Sequence, residues 1–166
     1  MAWASGVVPA KMRQSVRTAM ASDSLSDRLR VTADAPPFLI VAVSGRALAA
    51  SAARGGYPVV VLDCFADRDT VAVARQTAAV ARPGAIHFDR AALLSRAEAL
   101  APASHCAGLV VGAGFEDRAS LLSRLAAGRT LMGNPPSVVM AVKDPRRLFP
   151  LLDRIGIRHP EVRYAP

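Results

Sequence analysis

The sequence predicts an α/β domain: a parallel sheet of about five strands with helices on both faces. Three observations predict it. From residue 38 onward, short β-prone runs alternate with helical stretches, the pattern of parallel strands joined by crossover helices. The runs are continuously apolar, as in Phe38-Leu-Ile-Val-Ala-Val43, which suits strands buried on both faces. Glycines and capping residues punctuate the joins between strand and helix.

Taken in order, residues 38–43 form the first strand, closed by Ser44-Gly45. The alanine-rich stretch 46–54 predicts a helix that Gly55-Gly56 stops. Residues 58–62 predict a second strand ending at Asp63. A second helix is expected over 70–80, where Val71, Ala74, Ala78 and Ala81 recur at helical spacing, and a short third strand near Ala85-Ile86. Asp89 predicts the N-cap of a helix carrying Leu93, Leu94, Ala97 and Leu100. Residues 108–111 form the fourth strand and run into Gly112-Ala-Gly-Phe-Glu-Asp117, with Asp117 expected to cap a helix that turns Leu121, Leu122 and Leu125 inward before Gly128. Residues 130–132 predict a short fifth strand ahead of Gly133-Asn-Pro-Pro136. Helices over 137–142 and 145–155 follow. The last is the best marked: Asp144 at the N-cap, Pro145 in the first turn, Leu148, Leu152 and Ile155 on one stripe, and Gly156 beyond its end. Right-handed crossovers with short connections favour strand order 3-2-1-4-5, a Rossmann-like arrangement.

Residues 1–37 differ. They lack a sustained apolar period and close on Pro36-Pro37, which predicts a disordered N-terminal extension. Lys11 follows the apolar stretch, contrary to a signal peptide's order, and Asp23, Asp27 and Asp34 are foreign to a transit peptide.

Composition narrows the function. The net charge is +8, from 21 basic and 13 acidic residues, but the arginines are scattered singly and form no basic run. With five phenylalanines, two tyrosines and one tryptophan at dispersed positions, there is no stacking platform for a nucleic acid, and none is expected as a partner. No apolar run approaches the ~18 residues of a membrane span, so no membrane association is expected. Cys64 and Cys106 lie far apart, and His87, His105 and His159 share no ligand spacing with them, so no metal site is expected. This cysteine usage fits a reducing cytoplasm.

In a sheet of this order a crevice opens beyond the carboxyl ends of strands one and four. Ser44, Gly45 and Arg46 meet Gly112, Gly114 and Glu116 there, and these six are the candidate substrate-binding residues. Glycine admits close backbone approach, Arg46 suits a carboxylate or phosphate, and Glu116 suits an amine. An equally open reading is that the glycines only make tight turns and the charges are solvated. The G-x-G-x-x-G fingerprint is absent, with alanines at 47 and 50, although Asp63 stands where a ribose-binding acid would close strand two. No Walker A pattern, nucleophile elbow or paired-acid arrangement occurs, so no catalytic residue is assigned.

The stretch 133–160, with Lys143, Gly156, Ile157 and Pro160, resembles the junction that joins a pre-ATP-grasp domain to the ATP-grasp fold. There a lysine-aspartate segment starts a helix, a glycine ends it and a proline re-extends the chain. The resemblance covers residues 38–163 and implies an N-terminal, substrate-binding portion of an ATP-grasp ligase, of carboxylate–amine or carboligase type. Residues 112–122 with 38–44 look like an uncharacterised carboligase branch related to biotin carboxylase, some members of which are associated with tetrahydromethanopterin-linked one-carbon metabolism. By resemblance Lys143 approaches the phosphates of ATP, although Lys-Asp here replaces the usual Asp-Lys. ATP and Mg2+ are implied for the complete enzyme, with neither expected to bind tightly to this chain alone. The domains are then 1–37, 38–142 and a junction helix over 143–166, leading into an ATP-grasp domain that these 166 residues do not contain. A truncated chain, inactive alone, is the resulting expectation. The expected partners are a small-molecule substrate and either a separate ATP-grasp chain or another copy. A stand-alone Rossmann-like binding or subunit-interaction module is the alternative, and a dehydrogenase-like nucleotide domain a third.

Overall fold

A computed structural model of the chain describes residues 35–163. Of the extension expected over residues 1–37, residues 1–34 lie outside the described residues. The elements are β1 (Phe38–Val41), α1 (Arg46–Arg54), β2 (Val59–Asp63), α2 (Arg68–Val73), β3 (Gln76–Ala79), α3 (Arg90–Leu100), β4 (Gly108–Val111), α4 (Ala119–Ala126), α5 (Pro136–Lys143) and α6 (Pro145–Arg154). A single 3-10 turn, Ala103–His105, precedes β4.

The four strands form one parallel sheet in the order β3-β2-β1-β4. Phe38 pairs with Val59 on one side and Gly108 on the other, and this register puts side chains from three strands on common faces. Leu39, Val41, Val60, Leu62 and Leu109 face α3 and α4, where Leu93, Ala97, Leu121, Leu122 and Leu125 complete the larger core. Ile40, Val59 and Val61 face the other way, against Ala49 of α1 and the partly buried Leu48, Ala52 and Ala74. Burial on both faces is the physical reason that these strands read as continuous apolar runs.

The expected fifth strand is present only as one parallel bridge, Leu109 to Leu131. The Leu109 amide donates to Thr130 O and the Met132 amide to Leu109 O, both at 2.8 Å. The position beside β4 is the one expected, but Pro135 and Pro136 follow closely and have no N–H with which to prolong a ladder.

The helix expected over 70–80 is a correction. α2 stops at Val73, and residues 76–79 form β3, paired with Val60, Val61, Leu62 and Asp63. The open edge of β2 satisfies the backbone of this segment, which overrides the helical preference of its alanines. No strand forms at Ala85-Ile86. That stretch is a turn closed by Arg82 N donating to His87 O at 2.9 Å, and Ile86 is 71% exposed.

The caps divide similarly. Asp89 Oδ1 accepts from Ala92 N at 2.8 Å and Asp144 Oδ1 from Arg146 N at 3.0 Å, as expected. Asp117 does not cap α4. Arg118 holds the N-cap position, and Asp117 lies beside its guanidinium at 3.6 Å. At the far end of α4, Arg129 is almost wholly buried, donates to the carbonyls of Ala97, Ala101 and Leu125, and pairs with Glu98 at 3.0 Å. It thereby ties the C-terminal ends of α3 and α4 together.

Candidate functional site

The loops after β1 and β4 meet at the carboxyl edge of the sheet. Val43 N donates to Ala113 O and Gly112 N to Val41 O, both at 2.9 Å, which locks the two loops side by side. That closeness demands glycine. A Cβ at Gly112 would stand 2.8 Å from the Ala42 Cβ, and one at Gly45 would collide with Val61. Gly114 has φ 114° and would push a Cβ to 2.8 Å from the Phe88 ring. Packing alone thus accounts for these three glycines.

Asp63 organises the other side of the edge. It is 1% exposed, and its carboxylate accepts from the amides of Gly45 (2.9 Å), Phe65 (2.9 Å) and Ala66 (2.7 Å). The loops after β1 and β2 are thereby pinned to one buried charge, satisfied by backbone donors. With both oxygens turned inward onto amides, Asp63 is not presented to a ribose, which removes the residue that favoured a dinucleotide reading.

Ser44 and Arg46 are exposed. Arg46 pairs with Asp69 at 3.3 Å, and its charge also acts on Asp67. The Asp67 carboxyl is held below its usual range first by the Thr70 amide, with the Thr70 hydroxyl and Arg46 adding to the effect. The guanidinium therefore faces two carboxylates of the α2 start.

Glu116 and Lys143 come together on the other side. Glu116 Oε2 accepts from Gly114 N at 2.7 Å. The Glu116 carboxyl is held below its usual range by its own backbone amide, then by that of Gly114 and the Lys143 charge, against desolvation and the Asp117 charge. Lys143 reaches this place because α5 packs on α4 and ends beside the loop after β4. Two clefts share Glu116: one of about 260 Å³ lined by Gly112, Phe115, Asn134 and Val139, and one of about 480 Å³ lined by Ser120, Met140, Lys143 and Asp144. Of the expected site residues, Gly112, Gly114, Glu116 and Lys143 gather here, whereas Ser44, Gly45 and Arg46 line neither cleft. Asn134 and Ser120 are not among the residues the sequence singles out, although Asn134 belongs to the junction stretch that begins at Gly133.

Both cysteines have structural surroundings. Burial, then the Asp63 charge, pushes the Cys64 thiol above its usual range, so it is a poor nucleophile. Cys106 Sγ donates to Gly108 O at 3.3 Å. Among the described residues, no group of three His, Cys, Asp or Glu residues is arranged to hold a metal ion, and no helix is long and apolar enough to cross a membrane.

No protein-family model and no curated protein matches the chain. Solved structures do. The biotin carboxylase domain of a single-chain bacterial carboxylase superposes with a TM-score of 0.54 and 20% identity, covering 72% of this chain. An N5-carboxyaminoimidazole synthetase from Staphylococcus aureus, complexed with ADP, gives a TM-score of 0.49 and 22% identity over 74% of this chain. The chain spans 29% and 30% of those proteins' lengths. The matched portion is their N-terminal part. At this identity the first likeness establishes the fold: the described residues are folded as the leading part of a biotin carboxylase domain is folded.

Proposed function

We propose that residues 38–142 are the leading, substrate-side domain of an ATP-dependent ligase of carboxylate–amine or carboligase type, and that residues from 143 onward are its junction to an ATP-grasp domain. The observation that carries this reading is the meeting of Lys143 with Glu116 at the carboxyl edge of a sheet folded as in a biotin carboxylase domain. Lys143 is an exposed cation on the last turn of α5, suited to the phosphates of ATP. Gly112, Gly114 and Glu116 form the adjoining wall, whereas Ser44, Gly45 and Arg46, on the loop after β1, stand outside both clefts. ATP with Mg2+ would supply phosphoryl transfer to a carboxylate in the complete enzyme. The substrate is a small molecule.

Two measurements test this. The purified 166-residue chain is expected to show no Mg2+-dependent ATP hydrolysis, and turnover by it would overturn the division of labour. With millimolar Mg2+ and ATP, amide shifts are expected to centre on Lys143 and Glu116 and to vanish in Lys143→Ala. Shifts elsewhere, or none, would remove Lys143 from the site.

A second reading, an interaction module that pairs with another copy, is favoured by Val138, Met140, Val142, Leu151 and Ile155, all at least 39% exposed on or just beyond α5 and α6. Light scattering decides it: a monomer at all concentrations eliminates this reading.

A further inference from the structure

Three arginines from separate parts of the chain line a single cleft of about 360 Å³ that shares no lining residue with the two clefts at Glu116. Arg82 begins the turn after β3, Arg90 opens α3, and Arg118 comes from the loop after β4. His87, Phe88 and Asp89 complete the lining. Phe88 is buried against Phe115, with ring centroids 5.1 Å apart, and gives the cleft a rigid floor.

The charges here are unbalanced. Four guanidinium groups elsewhere meet carboxylates: Arg46 with Asp69, Arg129 with Glu98, Arg147 with Asp144 and Arg163 with Glu161. Arg118 is partly engaged, donating to Phe88 O at 3.4 Å with Asp117 at 3.6 Å from its Nε. Among the described residues, no hydrogen bond or ion pair engages the side chains of Arg82 or Arg90. The sole carboxylate in the lining, Asp89, has one oxygen committed to the Ala92 amide. Three like charges around one cleft repel one another, and an anion placed between them relieves that repulsion.

We propose that this cleft binds the phosphoryl group of a small anionic molecule. A tetrahedral dianion offers several oxygens to forked guanidinium donors, and arginine is suited to that pairing. The cleft volume lies at the lower end of the ~300–1,000 Å³ typical of small-molecule sites. The first-turn amides of Arg90 and Ala91 add donors beside the same cleft, of which Ala91 is a wall. The arginine cluster offers this site whether or not the ligase reading holds.

The test is titration of the 15N-labelled full chain with inorganic pyrophosphate at low salt. Amide shifts are expected at Arg90, Ala91 and His87, with affinity reduced about tenfold in Arg82→Ala/Arg90→Ala. Both side chains are exposed, so the double variant should keep its melting temperature. Arg54→Ala/Arg124→Ala removes the same charge from exposed helix positions and should change affinity less than about twofold. Equal weakening in the two double variants would show a net-charge effect and overturn the site. Absence of shifts at Arg90 and Ala91 in millimolar pyrophosphate would overturn it as well. A short single-stranded oligonucleotide is the remaining arm: tighter binding than pyrophosphate, lost in Arg82→Ala/Arg90→Ala, would replace the small-molecule ligand with a nucleic-acid backbone.

Discussion

Helices α4 and α6 carry comparable apolar stripes and meet opposite fates. In α4, Leu121, Leu122 and Leu125 are at most 3% exposed. In α6, where Leu148 and Leu152 share a stripe, no residue is fully buried, and Leu151 is 46% exposed. The difference lies in what each helix rests on. α4 lies on a sheet that offers a continuous apolar surface, whereas α5 packs on α4 and α6 in turn on α5, so each successive helix is covered on a narrower side. Amphipathic patterning announces a face, and only the neighbour decides how much of it leaves water.

Substitutions that contrast the two regions can break this comparison. The largest effect is expected for Leu122→Ala, fully buried under the sheet, at about 3 kcal/mol in urea unfolding, against under about 0.5 kcal/mol for Leu151→Ala in α6. Equal losses would mean that α6 is buried in solution. Asp63→Ala follows, at about 2–3 kcal/mol, because it strips the acceptor from the Gly45, Phe65 and Ala66 amides; a near-neutral result would show that water replaces the carboxylate. Gly114→Ala should cost about 2 kcal/mol, since its φ of 114° and the Phe88 ring both oppose a Cβ. A thermal melt within a degree of wild type would contradict that packing.

The smallest effect concerns the end of the described chain. His159 stacks on Phe149 with ring centroids 4.0 Å apart; Nδ1 lies 2.9 Å from Pro160 O and Nε2 3.1 Å from Asp153 Oδ1. Two acceptors require two N–H donors, so the imidazolium is favoured. The Pro160 carbonyl, then Asp153, raises the His159 pKa against some desolvation. The raised value means that the stabilisation is complete below the unfolded histidine pKa, about 6.5, and is lost as pH rises through the folded value. Proton NMR should find the His159 midpoint above that of an unstructured histidine, and Asp153→Asn should lower it. An unchanged midpoint in the variant would remove Asp153 from the account.

Much of the fold is legible residue by residue. The apolar runs at β1, β2 and β4, the Asp89 and Asp144 caps and the Gly128 stop carry local signals that the structure retains. β3 does not, because Gln76-Thr-Ala-Ala79 has neither a β-branched run nor an alternation, and only its pairing with β2 makes it a strand. In the candidate site, the loop at 112–116 could be found from its glycines and its place after a strand. The inward turn of Glu116 onto the Gly114 amide could not, nor could the meeting of Arg82, Arg90 and Arg118, which no spacing connects.

The α/β class, the sequential placement of most strands and helices, and the loops that the carboxyl edge presents are all written in local sequence signals. Those follow from hydrophobic period, capping chemistry and glycine, which act over a few residues. Tertiary structure alone decided the identity of β3, the reduction of the fifth strand to a bridge, the commitment of Asp63 to backbone amides and the gathering of Lys143 with Glu116. Each of these depends on groups far apart in the chain competing for the same partner, and that competition is settled only when the sheet assembles.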